Sequence, residues 1–393
     1  MEPGVRRGES GMGRTWAEAR AVARRLGEEC APVPRDVPLG RALGAVLGAD
    51  LRALVGLPAF DAAAMDGYAV AGAGPWRLVG AHLAGASAVR SGLRPGEAVE
   101  IATGARVPKG AEAVLPYEHA TTGSGGVEGH IDAGRHVRWE GEETAPGETV
   151  LARGAEVTPA ALGLAASLGH ESLPVVRPRV DVVVTGDEVA RSGLPGEGTV
   201  RDAIGPMLPG IVVWAGAEVG RVRHLGDDRR MLRECVTGAA ADVVAVCGSS
   251  SKGPADHFRA VLEEIGADTV VDGVACRPGH PQVLASAGPT LLVGLPGNPG
   301  AALVAALTLL VPLLTGMAGR PDPARVPERV PLAGDVRAHH RDTRLVAVRV
   351  GADGARPVGR DRPGSLREPA RADAYAVVPP GWDGSEVELV RLS

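Results

Sequence analysis

At 393 residues and 45% apolar side chains, the chain is long enough for two to four domains with real cores. A net charge of −5, with five Trp, three Tyr and two Phe, excludes a basic, base-stacking nucleic-acid surface. Cys30, Cys235, Cys247 and Cys276 have no metal-ligand spacing and read as reduced structural thiols.

The Arg-rich start lacks an apolar h-region, and residues 1–13 read as a disordered lead. A soluble cytoplasmic protein with no membrane segment is expected. Residues 15–30 show helical spacing, with Thr15 and Glu18 as a capping box. A second helix is expected around 43–51. Asp66-Gly67 is a turn signal before an apolar strand. Residues 76–120 alternate in short runs broken by Gly and Pro, the pattern of a small β domain. Residues 121–133 read as a Gly/Ser loop, and Glu140, Glu142 and Glu143 as a solvated charged turn. Thr158 caps a helix that Gly169 ends. Residues 174–178 read as a linker.

From Arg179 onward, strands and helices alternate. Strands are expected at 179–185, 218–224, 242–247, 269–276 and 290–293. Helices are expected at 204–215, 229–239 and 257–265. The apolar stretch 301–314 is too short for a bilayer and reads as a buried helix. This order predicts an α/β domain with a parallel, doubly wound sheet, whose ligand lies beyond the strands' carboxyl ends. Four loops are expected there: 185–188, 248–256, 277–280 and 294–298. The second, Gly248-Ser249-Ser250-Ser251-Lys252-Gly253, joins a buried strand to a helix that Asp256 starts. Such a loop offers amide N–H groups and a positive helix end to an anion. It lacks the Gly-Lys-Ser/Thr ending of a P-loop and also reads as an ordinary strand-to-helix turn. Only Lys109 and Lys252 are lysines, so a lysine in this loop stands out. Residues 321–329 read as a linker and 330–393 as a small all-β domain.

Several segments together resemble the molybdopterin molybdenumtransferases, the MoeA and gephyrin E-domain group. They are Ala64-Met-Asp-Gly-Tyr-Ala-Val70, Thr103-Gly-Ala105 with Glu118, Gly141-Glu142, Thr185-Gly-Asp-Glu188 and Leu295-Pro-Gly-Asn-Pro299. Order and spacing agree from about residue 15 to the end. The resemblance implies four domains: an elongated helical one from 14–55 and 141–177, an inserted β domain at 56–140, a three-layer α/β/α domain at 178–320, and a C-terminal β-barrel at 321–393. It implies a homodimer that joins molybdate to adenylylated molybdopterin and releases AMP, with Mg²⁺. A transient contact with the molybdopterin adenylyltransferase would follow.

Carried onto this sequence, the catalytic positions are Asp66, Glu188 and Asp256. Those that bind substrate are Thr185, Gly186, Asp187, the 248–253 loop, Arg277, His280, Pro296, Gly297, Asn298 and Ser365. Glu188, Asp256 and Glu143 would serve the metal, since Mg²⁺ takes carboxylates and keeps waters. Each has a structural alternative: Asp66 could only hold its turn, Asp256 only cap a helix, and Ser365 only shape a turn.

The departures cluster at the site. Ser249 replaces a family Gly, Arg277-Pro-Gly-His280 replaces Lys-Pro-Gly-Lys, Asp202-Ala203-Ile204 replaces Asp-Ser-Asn, and Glu143 replaces Asp. Lys252 could supply the fixed charge that His280 lacks. The competing expectation is a non-catalytic or repurposed paralogue that keeps the fold and dimer.

Overall fold

The structure is a computed structural model that describes residues 13–82, 92–123, 126–248, 257–359, 362 and 364–392, apart from the side chains of 327 and 328. The chain divides into two compact units, one of residues 1–35, 44–48 and 174–393 and one of residues 36–43 and 49–173.

In the first unit, Arg14–Thr15 forms β1 and Trp16–Glu29 forms α1. The expected capping box is present: Thr15 Oγ1 accepts from Glu18 N–H, and Glu18 accepts from Thr15 N–H. The α/β part follows as β2 (Arg179–Thr185), α2 (Ile204–Trp214), β3 (Glu218–Leu225), α3 (Arg229–Thr237), β4 (Val243–Cys247) and α4 (Phe258–Glu264). Next come β5 (Asp268–Asp272), β6 (Val274–Arg277), β7 (Val283–Ala287), β8 (Thr290–Leu295) and the long helix α5 (Pro299–Ala318).

Six strands pair in the order β3-β2-β4-β8-β7-β5. The first four are parallel, and β7 and β5 close the edge antiparallel. Alternation along the buried strands feeds both faces. Val182, Val184, Ala245 and Val293 pack with Leu208 of α2 and with α5. Val183, Val244, Val246 and Leu292 pack with Leu232 of α3 and Phe258 and Val261 of α4. Helices therefore cover both sides. Asp181, buried in β2, meets a register shift between β2 and β3 by accepting from Arg221 N–H at 2.7 Å.

Helix α5 is long and apolar enough to cross a membrane, yet it lies wholly inside the fold. It contains a π-helical turn at Ala306–Leu310, just before Pro312, whose missing N–H cannot continue the ladder. Within that turn, Thr308 Oγ1 donates to Val304 O at 2.7 Å and accepts from Trp16 Nε1 at 3.1 Å.

A second sheet is formed by β9 (Arg325–Pro331), β10 (Thr343–Gly351), β11 (Gly354–Pro357), β12 (Ala374–Val378) and β13 (Glu386–Arg391). Its path is β1-β6-β10-β12-β13-β9, with β11 beside β10. It is thus not a purely C-terminal unit, because β1 and β6 join it from far upstream.

The second unit holds a four-stranded sheet of Arg77–His82, Glu97–Ile101, Gly67–Val70 and Ala113–Pro116, in that order, and the helix Pro159–Ser167 capped by Thr158.

Four local expectations fail. Residues 43–51 are not helical: a single turn at Leu39–Ala42 precedes the strands Val46–Leu47 and Leu51–Arg52. Positive φ at Gly44 breaks the helical pattern there. Residues 174–178 belong largely to a strand, Ser172–Val176, that pairs with Val46–Leu47. The stretch 121–133 contains the hairpin Thr121–Gly123 with Gly126–Glu128. Residues 269–276 split at Gly273, at φ +81, into β5 and β6 in different sheets. Strand β7 was not anticipated. The lead, residues 1–12, lies outside the described residues, as do Ser249, Ser250, Ser251, Lys252, Gly253 and Asp256.

Candidate functional site

The chain runs from β2 through α2 to β3 on one side of β2, then through α3 to β4 on the other. The gap between the carboxyl ends of β2 and β4 is therefore a topological switch point, where open α/β sheets leave a ligand crevice. Register brings the ends level: Leu225 lies beside Thr185, Val184 beside Cys247, and Cys247 beside Leu295.

Thr185 is buried, and its hydroxyl donates to Cys247 O at 3.1 Å across the gap. Gly186, at φ +135, turns the chain out of β2, and its N–H donates to Leu225 O at 3.2 Å. Asp187 Oδ1 accepts from Asp227 N–H at 3.3 Å, which ties this turn to the one after β3. Glu188 folds over Gly186: a Cβ there would stand 2.7 Å from Glu188 Oε2. Both acids are exposed at the crevice mouth.

Gly248 opens the loop after β4 at φ +104, and a Cβ there would meet Thr185 O at 2.6 Å. Its N–H donates to Leu295 O at 3.2 Å. The next loop, Pro296-Gly297-Asn298, closes in from β8: a Cβ on Gly297 would stand 3.3 Å from Gly248 Cα. Asn298 precedes α5 and its carbonyl accepts the first helical bond, from Ala302 N–H at 2.8 Å. Thr185, Gly186, Asp187, Glu188, Gly248, Pro296, Gly297 and Asn298 are thus brought together.

Two supporting residues were not singled out for the site. Asp202 is buried at the start of α2 and accepts from Ile204 N–H at 3.0 Å and Gly205 N–H at 2.8 Å. His224 Nε2 lies 2.7 Å from Asp202 Oδ2. Burial opposes ionisation of Asp202. The His224 hydrogen bond, the Gly205 and Ile204 amides and the His224 charge outweigh it and hold the carboxyl below its ordinary value. Asp202 survives from the family triplet. Its partner is separated by a whole helix and carries no local signal. Below them, burial drives the Cys247 thiol far above its usual range, so it stays neutral packing.

Ser365 lies in a small cleft beside the start of α5, with Pro278, Gly300, Arg362 and Glu368. Its hydroxyl donates to Glu368 Oε2 at 2.5 Å and accepts from Arg367 N–H at 3.1 Å. The Ser365 hydrogen bond is the main reason that the half-buried Glu368 carboxyl lies below the usual range. Asn298 borders this cleft: a Cβ on Gly364 would stand 3.8 Å from Asn298 Oδ1.

The 277–280 loop departs from expectation. It follows β6, which belongs to the second sheet, so it does not leave the parallel sheet with the other three loops. Arg277 Nε pairs with Asp342 at 2.6 Å. His280 Nδ1 donates to Val274 O at 2.8 Å, which fixes the tautomer and turns the ring back on its own strand. Pro278 and Gly279 carry the loop against α5.

Asp66 and Glu143 belong to the second unit. Asp66 Oδ1 accepts from Thr103 N–H at 2.6 Å. That amide first, and the Thr103 side chain second, hold its carboxyl below the usual range. The MDG turn and the TG turn are thereby joined. Gly67 cannot carry a side chain, because its Cβ would meet Leu115 O at 2.1 Å. Tyr117 stacks edge-to-face on Tyr68 at 5.3 Å and donates to Glu100 Oε1 at 2.7 Å. Glu100 holds the phenolic proton and pushes that hydroxyl up to about 12. Glu143 is exposed and its N–H donates to Leu57 O, while Glu142 accepts from Trp139 N–H at 2.9 Å and braces the turn.

Among the described residues, no group of three or more His, Cys, Asp or Glu is placed to hold a metal. Asp187 and Glu188 nonetheless suit the way Mg²⁺ binds, through one or two carboxylates, waters and substrate phosphates.

Comparison with known proteins agrees with this architecture. Residues 14–169 match the MoeA N-terminal region (domain I and II), and 181–316 match a probable molybdopterin binding domain. The chain is 38% identical to molybdopterin molybdenumtransferase 2 of Mycobacterium tuberculosis over 337 residues, 79% of this chain and 82% of the relative. It is 31% identical to the molybdopterin molybdenumtransferase of Bacillus subtilis, over 89% and 87% of the two chains. In fold it is similar to a molybdopterin biosynthesis MoeA protein from Pyrococcus horikosii, with TM-score 0.73 and 24% identity over 97% of this chain and all of the other. The chain therefore belongs to the molybdopterin molybdenumtransferase family.

Proposed function

We propose that the protein is a molybdopterin molybdenumtransferase of molybdenum cofactor biosynthesis, which joins molybdate to adenylylated molybdopterin and releases AMP. The observation that carries this reading is the crevice at the switch point. There, Gly248 and Gly297 strip side chains from the approach to Thr185, leaving backbone close enough to cradle a pyrophosphate. The family resemblance assigns Ser249, Ser250, Ser251, Lys252 and Gly253 to substrate binding, with Lys252 as a fixed positive charge. Pro296, Gly297 and Asn298 close it from β8.

Glu188 and Asp256 would hold Mg²⁺, and Asp66 and Glu143 keep the catalytic and metal roles that the family resemblance assigns them. Bound there, the ion would stabilise charge on the phosphoryl oxygens. Ser365, with Arg277 and His280, forms the anion-binding side where molybdate enters. The working protein is a cytoplasmic homodimer with the four-domain layout and C-terminal barrel of its family, and it receives its substrate through a transient contact with the adenylyltransferase.

The test is AMP release from adenylylated molybdopterin with Mg²⁺, with and without molybdate. Release that needs molybdate and falls about a hundredfold or more in Glu188→Gln is expected, as for loss of an electrostatic group at the reacting phosphate. Release that ignores molybdate, or survives in Glu188→Gln, overturns the assignment.

A further inference from the structure

A second cleft, larger than the one at Ser365, lies on the face of the second sheet that α1 crosses. Register shows how it is built. Thr15 of β1 is level with Ala275 of β6, and Cys276 is level with Thr343 of β10. Thr343 and Leu345 share a face by alternation, and Leu345 is level with Val377 of β12. Val377 is level with Glu388 of β13, and Glu388 with Arg329 of β9. One row of side chains thus crosses the sheet beneath the first turn of α1. The floor is apolar, from Trp16, Val377, Pro379 and Pro380, and the rim is polar, from Arg329, Arg341, Thr343 and Glu388.

Thr343 is only 7% exposed, lines this cleft, and its hydroxyl has no hydrogen-bond partner among the described residues. That hydroxyl faces the open volume of the cleft and can donate into it. Arg341 stands exposed at the mouth, with no side-chain partner among the described residues. The capping box engages the amides of Thr15 and Glu18. The amide of Ala17 remains as a first-turn donor without an intrahelical acceptor. Three kinds of donor therefore converge on an apolar floor.

We infer that this cleft binds a small aliphatic monocarboxylate, its carboxylate on Arg341, Thr343 and the start of α1, its chain on Trp16, Val377 and the two prolines. The volume, about 250 Å³, suits a ligand smaller than a nucleotide, so this is not a second copy of the switch-point site. Glu388 in the same cleft disfavours a multiply charged anion such as phosphate. The planar guanidinium of Arg341 matches a carboxylate fork.

The test is titration calorimetry of the full chain at low salt with sodium hexanoate, n-hexanol and inorganic phosphate. Hexanoate is expected to bind saturably at millimolar concentration. Hexanol should bind about tenfold more weakly or less, and phosphate should not compete. Arg341→Gln, at an exposed position, should weaken hexanoate about tenfold, and the nearly isosteric Thr343→Val several-fold. Circular dichroism checks that each variant is folded. The inference is overturned if hexanoate does not saturate, if hexanol binds as well, if phosphate displaces it, or if Arg341→Gln binds like the native chain.

Discussion

An alanine at position 248 would place its Cβ 2.6 Å from Thr185 O and would have to adopt φ +104, where only glycine is comfortable. Relief requires β2 and β4 to part at the crevice. Gly248→Ala is expected to cost about 1–3 kcal/mol in urea unfolding, and to abolish AMP-dependent stabilisation. Asp202 gives a pH prediction. Its folded pKa lies below the ordinary value of about 3.9, so its contribution is complete above that pH and fades as pH falls through the lower folded value. Asp202→Asn should therefore lose about 1–3 kcal/mol near neutrality, with the gap to the native chain closing below about pH 4. A gap that stays constant with pH would assign Asp202 a packing role only.

Helices α1 and α5 meet through glycines. A Cβ on Gly27 would stand 2.2 Å from Leu313 O, and one on Gly316 would stand 2.2 Å from Arg24 O. The two backbones are therefore closer than any side chain allows. Gly27→Ala and Gly316→Ala are each expected to destabilise the first unit by about 1–3 kcal/mol. Because they relieve one contact between the same helices, the double variant should cost less than their sum, which a double-mutant cycle of urea midpoints would show. The Trp16–Thr308 hydrogen bond pins the same helix pair at the π turn. It gives the buried Thr308 hydroxyl, which donates to Val304 O, a donor as well.

The molecule as a whole joins two compact units by several passages of one chain, and the switch-point crevice lies within one of them. Ligand that binds only the folded crevice must stabilise that unit by mass action, by about 2.7 kcal/mol at a hundredfold excess over Kd. Calorimetric scans with AMP and Mg²⁺ should shift one transition upward, and Gly248→Ala should remove the shift. An equal shift of all transitions in that variant would place the nucleotide elsewhere.

Much of this was legible in the residues themselves. Apolar runs such as Val182–Val183–Val184 and Val243–Val244, separated by amphipathic helices, specified the parallel sheet, because burial on both faces demands continuous apolar strands. The Thr15–Glu18 and Thr158 caps and the Pro296-Gly297-Asn298 loop were equally readable, since each depends on residues within a few positions. The tertiary structure alone decided what depends on distant partners. Val274–Arg277 left the sheet of its sequence neighbours for one shared with Arg14–Thr15, so Arg277 and His280 sit on a loop that does not follow a strand of the parallel sheet. Gly248 owes its constraint to Thr185, and Asp202 its pairing to His224. Periodicity and capping are local properties written in the chain, whereas strand neighbours and buried polar partners are chosen by packing among residues far apart in it.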